Sequence, residues 1–354
     1  MNGFSSARWV KIILICAALV VLPFVVDATL GRAWVRIIDI ALLFVMLALG
    51  LNIVVGYAGL LDLGYIAFFA VGAYCFALLA SPHFGIHGSF LLLLPLAAIV
   101  AAVFGVILGA PTLKLSGDYL AIVTLGFGEI VRIFLTNLNR PLNITNGPRG
   151  ITLVDPLQAG GLSLAKTYEI AGITIAPVHS YYFVFLLCAL ATIFISMRLE
   201  NSRIGRAWVA IREDELAASA MGIHTRNVKL LAFAMGATFG GVAGALFASF
   251  QGFISPASFA LHDSVMVLCM VVLGGMGNVG GVVLGAILLT ALPEALRYIG
   301  PLQQQWLGRV YIDPSDLRML LFGLALVLMM LFRPAGLWPS KTRRREWVTE
   351  KSSG

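Results

Sequence analysis

The chain has 354 residues, of which 60% belong to the apolar set AVILMFWYC and only 12% are charged, with a net charge of +7. Soluble globular domains run at roughly 45–50% apolar and about 25% charged, so there is too little polar surface here for a water-soluble fold. The expected solvent is the bilayer, and no nucleic-acid partner is expected.

The apolar residues come in blocks of roughly 16 to 22, close to the ~20 that cross a ~30 Å hydrocarbon layer at 1.5 Å per residue. The first block, 11–26, follows Arg8 and Lys11 but is succeeded by no small-x-small cleavage site, so it reads as a retained first helix. Further spans follow at 37–55, 64–80, 90–109, 119–137, 181–197 and 230–251. The stretch 263–299 is too long for one span, and Gly274, Gly275, Gly277, Asn278, Gly280 and Gly281 interrupt its middle. Glycine costs ~1 kcal/mol against alanine inside a helix, so the stretch divides into 263–277 and 281–299. A last block lies at 317–333. The fold class is therefore all-α integral membrane, a polytopic helical bundle of about 10 spans. The other reading has 8 spans with two Gly-rich segments as re-entrant hairpins.

With the N-terminus inside, 15 of the 24 Lys and Arg fall on the inner side and 8 on the outer, while Arg132 lies within a span. The positive-inside rule thus places both termini in the cytoplasm. On this reading residues 1–36 carry the first span, 37–335 form the transmembrane domain, and 336–354 are a basic cytoplasmic tail resting on anionic lipid. Two polar segments interrupt the bundle, one outside at 138–180 and one inside at 198–229. The four cysteines, Cys16, Cys75, Cys188 and Cys269, sit singly in apolar blocks and read as small buried side chains.

The inner segment is good helix material from Arg206 to Met221, with Ile204, Trp208 and Ile211 at i, i+4 and i+7 and Gly222 placed to end the helix. Arg212, Glu213, Asp214 and Glu215 cluster in its middle. Periodicity alone admits an interfacial connecting helix, or a docking element that forms ion pairs with a cytoplasmic partner.

Three stretches together resemble one family. Ser202-Arg-Ile-Gly-Arg-Ala-Trp-Val-Ala-Ile-Arg-Glu-Asp-Glu-Leu-Ala-Ala-Ser-Ala-Met-Gly-Ile223 is similar to the coupling segment of the LivM-like permeases of branched-chain amino-acid ABC importers. The stretches 51–74, with Gly56-Tyr-Ala-Gly59 and Leu61-Asp-Leu-Gly64, and 117–132, with Gly126-Phe-Gly-Glu129, agree with it. The resemblance implies a bacterial inner-membrane subunit assembled with a second homologous permease, two cytoplasmic ATPases and a periplasmic binding protein. It implies that Arg206, Arg212, Glu213, Asp214, Glu215, Ala217, Ala218 and Gly222 seat in the ATPase, with Ala217-Ala218 and Gly222 in the EAA pattern. Two departures stand out: Glu215 is one position early, and Lys229-Leu-Leu-Ala replaces the downstream Ile-x-Leu-Pro. The same family includes permeases for urea, short amides and other amino acids.

None of the six lysines follows a glycine, so the GxxxxGK[ST] phosphate cradle cannot be built, and ATP with its magnesium belongs to partner chains. No catalytic residue, metal site or cofactor is expected. All five histidines fall at span edges or in loops, outside any HExxH, which speaks against an intramembrane enzyme. A secondary carrier would show lone acids at mid-membrane. Charges in spans cost ~2.5–3.5 kcal/mol each on insertion scales, and here Glu129 with Arg132 and Glu294 with Arg297 are spaced i, i+3. Such pairs neutralise themselves, line a pathway or meet another subunit.

Unwound backbone at membrane depth is tolerated only beside protein or a water-filled cavity. The two Gly-rich breaks therefore nominate Asn52, Gly56, Gly59, Asp62, Gly64, Thr124, Glu129, Gly275, Gly277 and Asn278 as pathway residues. Asp62 also reads as a helix N-cap for the span that begins near Gly64.

Overall fold

A computed structural model describes residues 6–297 apart from 114, 116, 142, 160–161 and 171–172, together with isolated positions between 320 and 338. About half of the last expected span, 317–333, and all of the basic tail beyond 338 lie outside the described residues.

The described chain is helical throughout its apolar blocks. The helices are α1 (Ser6–Leu30), α2 (Arg32–Leu51), α3 (Ile66–Leu79), α4 (Phe90–Thr112), α5 (Asp118–Asn137), α6 (Pro177–Glu200), α7 (Arg203–Glu213), α8 (Glu215–Ala220), α9 (Thr225–Gln251), α10 (Leu261–Gly274) and α11 (Val279–Arg297). Among the described residues seven segments are long and apolar enough to cross a membrane: Arg32–Tyr57, Phe90–Thr112, Asp118–Asn137, Pro177–Glu200, Thr225–Gln251, Pro256–Gly274 and Val279–Arg297. The expected spans at 11–26 and 64–80 correspond to the shorter apolar helices Ala17–Leu30 and Ile66–Leu79. The chain is a multi-pass membrane protein.

Helix α3 explains why one expected span is short. At 1.5 Å per residue its 14 residues reach only about 21 Å, and the chain enters it through a buried, non-helical connection at 58–65. Because α3 is walled in by α4 and α9, its apolar residues face all round instead of forming one stripe.

Small residues set this packing. A Cβ on Gly72 would lie 2.2 Å from the Gly241 carbonyl oxygen, and one on Gly244 would lie 2.1 Å from that of Phe69. Lipid supplies no hydrophobic drive between helices, so such close backbone approach is how they hold together. Ala97 and Ala101 of α4 pack against Gly241 in the same way.

The polar segment 138–180 contains short antiparallel strands. β1 (Ile151–Thr152) pairs with β6 (Phe253–Ile254), while β2 (Gln158–Ala159) with β3 (Leu162–Ser163) and β4 (Tyr168–Ile170) with β5 (Ile173–Ile175) form two hairpins. Its first half is pinned to the bundle. Asp155 N–H donates to the Ala80 carbonyl at 2.7 Å, and His87 Nδ1 lies 2.6 Å from Asp155 Oδ2.

Candidate functional site

The polar segment 198–229 is built on the end of α6. After Glu200 only Asn201 and Ser202 intervene before α7, and Ser202 Oγ caps that helix by accepting from Gly205 N–H at 3.0 Å. A Cβ at Gly205 would lie 2.1 Å from the Leu199 carbonyl oxygen, so the sharp turn needs a glycine there.

One continuous helix was expected from Arg206 to Met221, and the chain instead forms two. Asp214 leaves the helical region with φ −153° and ψ 109°, and its Oδ1 accepts from Leu216 and Ala217 N–H. A short carboxylate side chain competes for backbone donors in this way and starts a new helix at Glu215. The end at Gly222 is as expected, with φ +86° and bonds from Gly222 N–H to Ser219 and from Ile223 N–H to Ala218.

The apolar stripe of α7 divides in two. Trp208 and Ile211 are buried, whereas Ile204 is exposed. The Trp208 ring lies parallel to that of Tyr57, with centroids 6.5 Å apart, and its Nε1–H donates to the Val228 carbonyl at 2.7 Å. Arg206, Glu213, Asp214, Glu215, Ala217 and Gly222 lie on the exposed side, Ala218 is buried and Arg212 is half-buried. Glu215 Oε1 is 2.6 Å from Nζ of Lys229, itself buried. Leu216 and Met221, each 84% exposed, stand among these charges. Periodicity missed both because neither falls on the buried stripe.

The first Gly-rich break begins with a π-helical turn, Asn52–Tyr57, at the end of α2. Such turns leave carbonyls without the usual i+4 donor and recur at functional positions. Arg212 Nη1 donates to one of them, that of Gly56, at 2.7 Å. Gly59 sits beneath the same side chain, since a Cβ there would lie 2.7 Å from Arg212 Cγ. The inner helix thus grips the unwound end of α2.

Five of the nominated residues, Asn52, Gly56, Gly275, Gly277 and Asn278, meet at the second break. Asn52 is fully buried and its Oδ1 accepts from Gly277 N–H at 2.8 Å. Gly56 leaves room for this bond, because a Cβ there would lie 2.7 Å from Gly277 N. Gly275 and Gly277 take φ of +116° and +82° in the turn between α10 and α11. Asn278 caps α11, accepting from Gly280 N–H at 3.0 Å, and its Nδ2 donates to the Trp338 carbonyl at 2.9 Å.

A second group joins α3 to α5. Asp62 Oδ1 accepts from Gly64 N–H at 2.9 Å and Thr124 Oγ1 accepts from Leu63 N–H at 3.0 Å. The Asp62 bond falls two residues before the turn that opens α3, so the residue closes an Asx turn ahead of the helix instead of capping it directly. Gly64 permits the contact, a Cβ there lying 2.0 Å from the Thr124 carbonyl oxygen. Glu129 belongs to neither group. It faces away from the bundle, paired with Arg132 on its own helix. The pair Glu294–Arg297 sits at the last turn of α11, 3.4 Å apart.

Many tightly packed apolar helices, a polar segment between two spans gripping an unwound helix, and buried polar groups engaged with backbone make this a polytopic membrane protein. The particular kind follows from comparison with known proteins. Residues 33–330 match the family described as branched-chain amino acid transport system / permease component, and the chain belongs to it. It is 43% identical to the high-affinity branched-chain amino acid transport system permease protein LivM of Escherichia coli, over 93% of this chain and 76% of that protein. A probable branched-chain amino acid transport permease protein LivM of Methanocaldococcus jannaschii is 29% identical over 84% of this chain and 91% of its own length. The permease protein LivH of Salmonella typhimurium, from a high-affinity system of the same description, is 27% identical over 83% and 90%. No solved structure matches the chain.

Proposed function

We propose that this chain is the transmembrane permease subunit of an ABC importer that carries branched-chain amino acids into the cytoplasm. The observation that carries the reading is the 43% identity to a LivM permease across 93% of the chain. Both termini lie in the cytoplasm, and the protein resides in a bacterial inner membrane beside a second homologous permease. ATP and magnesium are used by two partner ATPases, and a periplasmic binding protein delivers the substrate to the outer segment.

In this reading α7 and α8 are the element on which the ATPases act. Arg206, Glu213, Asp214, Glu215, Ala217 and Gly222 contact them together with the exposed Leu216 and Met221. Arg212 and Trp208 face inward and carry the movement to the π turn, from which Asn52 passes it to Gly277. Coupling of this kind requires two states in which ATP-bound partners favour one arrangement of the spans over the other. The chain of contacts from α7 to the α10–α11 turn supports a short route for that bias.

The test is to purify the complex and measure stimulation of its ATPase by the loaded binding protein, offering leucine and, in parallel, urea. Stimulation by leucine alone supports the reading, and stimulation by urea alone moves the chain to another branch of the family.

A further inference from the structure

The outward faces of the spans are not alike. On α4 the exposed side chains are Leu92, Leu96, Ile99, Val103 and Ile107, and on α6 they are Leu187, Leu190, Phe194 and Ile195. Such surfaces match hydrocarbon. Helix α5 packs on α3, α4 and α10 by one side, but its opposite side mixes exposed Ile122, Ile130 and Ile133 with Glu129 and Arg132. Both charged side chains remain 37% exposed. Glu129 lies 11 residues past the start of α5 and 8 before its end, so at 1.5 Å per residue it is about 16 Å from one end and about 12 Å from the other. That is mid-membrane, too deep for a short acidic side chain to reach the headgroups.

The pair is ionic and its bonds stay within α5, where Arg132 Nε donates to both Glu129 carboxylate oxygens at 3.0 Å. Mutual neutralisation does not remove the penalty of leaving the two groups against lipid tails, because the remaining donors of the guanidinium still lack acceptors. Gly126 lies on the same stripe as Ile122, Glu129 and Ile133, and a Cβ added there meets no atom within 4 Å. The stripe therefore presents a charged pair above an open notch, a surface suited to close approach by another helix with polar groups of its own.

We infer that this face of α5, with Ile122, Gly126, Glu129 and Ile133, is the seam against the second permease subunit of the complex. The inference rests on the reading that such a subunit accompanies the chain. It places the Glu129–Arg132 pair between two protein surfaces instead of in lipid, where the partner's polar groups complete its hydrogen bonds. It also leaves the wholly apolar faces of α4 and α6 to the bilayer.

The experiment uses the assembled complex. A photoreactive amino acid is placed singly at Ile122 or Ile133, and at Ile99 of α4 and Leu187 of α6 as lipid-facing controls. All four are exposed, so the substitutions disturb no core packing. Irradiation is expected to give a covalent product with the second permease from Ile122 and Ile133 and none above background from Ile99 and Leu187. If the second permease co-purifies but joins only through α4 or α6, or if α5 labels lipid alone, the seam assignment is overturned. If no second permease co-purifies with the intact chain, the underlying reading falls and the seam with it.

Discussion

Both Gly-rich breaks use glycine for close approach, at Gly64 and at Gly274 with Gly281, and for left-handed backbone, at Gly59 and at Gly277, and they differ in what holds them. In the first, at 52–65, Gly56 and Gly64 serve close approach, since a Cβ would fall 2.1 Å from Asn52 Oδ1 at one and 2.0 Å from the Thr124 carbonyl oxygen at the other. In the second, between α10 and α11, Gly275 and Gly277 serve backbone conformation, with φ in the left-handed region. The first break is also held from outside, by Arg212 of α7 at Gly56 and by Thr124 of α5 at Leu63. The second is closed by Asn278 and by a later segment, with Leu337 and Trp338 N–H donating to the Leu273 and Gly274 carbonyls. On the proposed reading the first break is the one that another element can pull, and the second answers through the bond from Gly277 to Asn52.

That contrast can be broken most severely at Gly64. Gly64→Leu forces a side chain onto the backbone of α5, and overpacking of this kind costs typically ~1–3 kcal/mol or more. Loss of folded protein from the membrane fraction and from size-exclusion profiles in detergent is expected. Gly277→Leu should act differently. A non-glycine residue in the left-handed region costs roughly 1–2 kcal/mol, enough at ~1.4 kcal/mol per factor of ten to reduce uptake about tenfold while the chain still inserts. Uptake into vesicles, normalised to the amount of inserted chain, checks this, and unchanged uptake removes this role of the second break.

Arg212→Ala sharpens the claim that the first break is pulled. A hydrogen bond to a charged group contributes ~1.5–3 kcal/mol, and losing it should lower solute moved per ATP by about fivefold or more with ATP hydrolysis retained. Measuring both rates on one reconstituted sample distinguishes uncoupling from simple inactivation. The smallest effect is expected at Glu215→Gln, whose carboxylate is half exposed beside Lys229. Gln still offers an acceptor to the buried Lys229 ammonium and removes only the charge, so thermal stability should fall slightly, and by less at high salt.

The breaks were legible because glycine clusters inside apolar runs are costly, and the inner helix because Trp208 and Ile211 repeat at helical spacing. Which break answers to which element was not legible. Arg212 and Gly56 are 156 residues apart, and Asn52 and Gly277 are 225 apart, so no local pattern joins them. The split of the inner helix at Asp214 was missed because composition favours a single helix, and one side chain's capping bonds decided otherwise. The pathway list mixed residues with different fates, since Asn52, Asp62 and Thr124 are buried against backbone while Glu129 faces outward.

By itself the sequence determined that this protein lives in a bilayer, roughly where its apolar helices fall and where glycine interrupts them. Those properties follow from hydrophobicity and backbone propensity, which act over a few residues. Only the tertiary structure decided that α3 is a short, fully walled helix, that α7 holds the π turn through Arg212, and that α5 turns a charged face outward. Such outcomes depend on which surfaces meet after the chain has folded back on itself, and close packing between distant glycines sets that meeting.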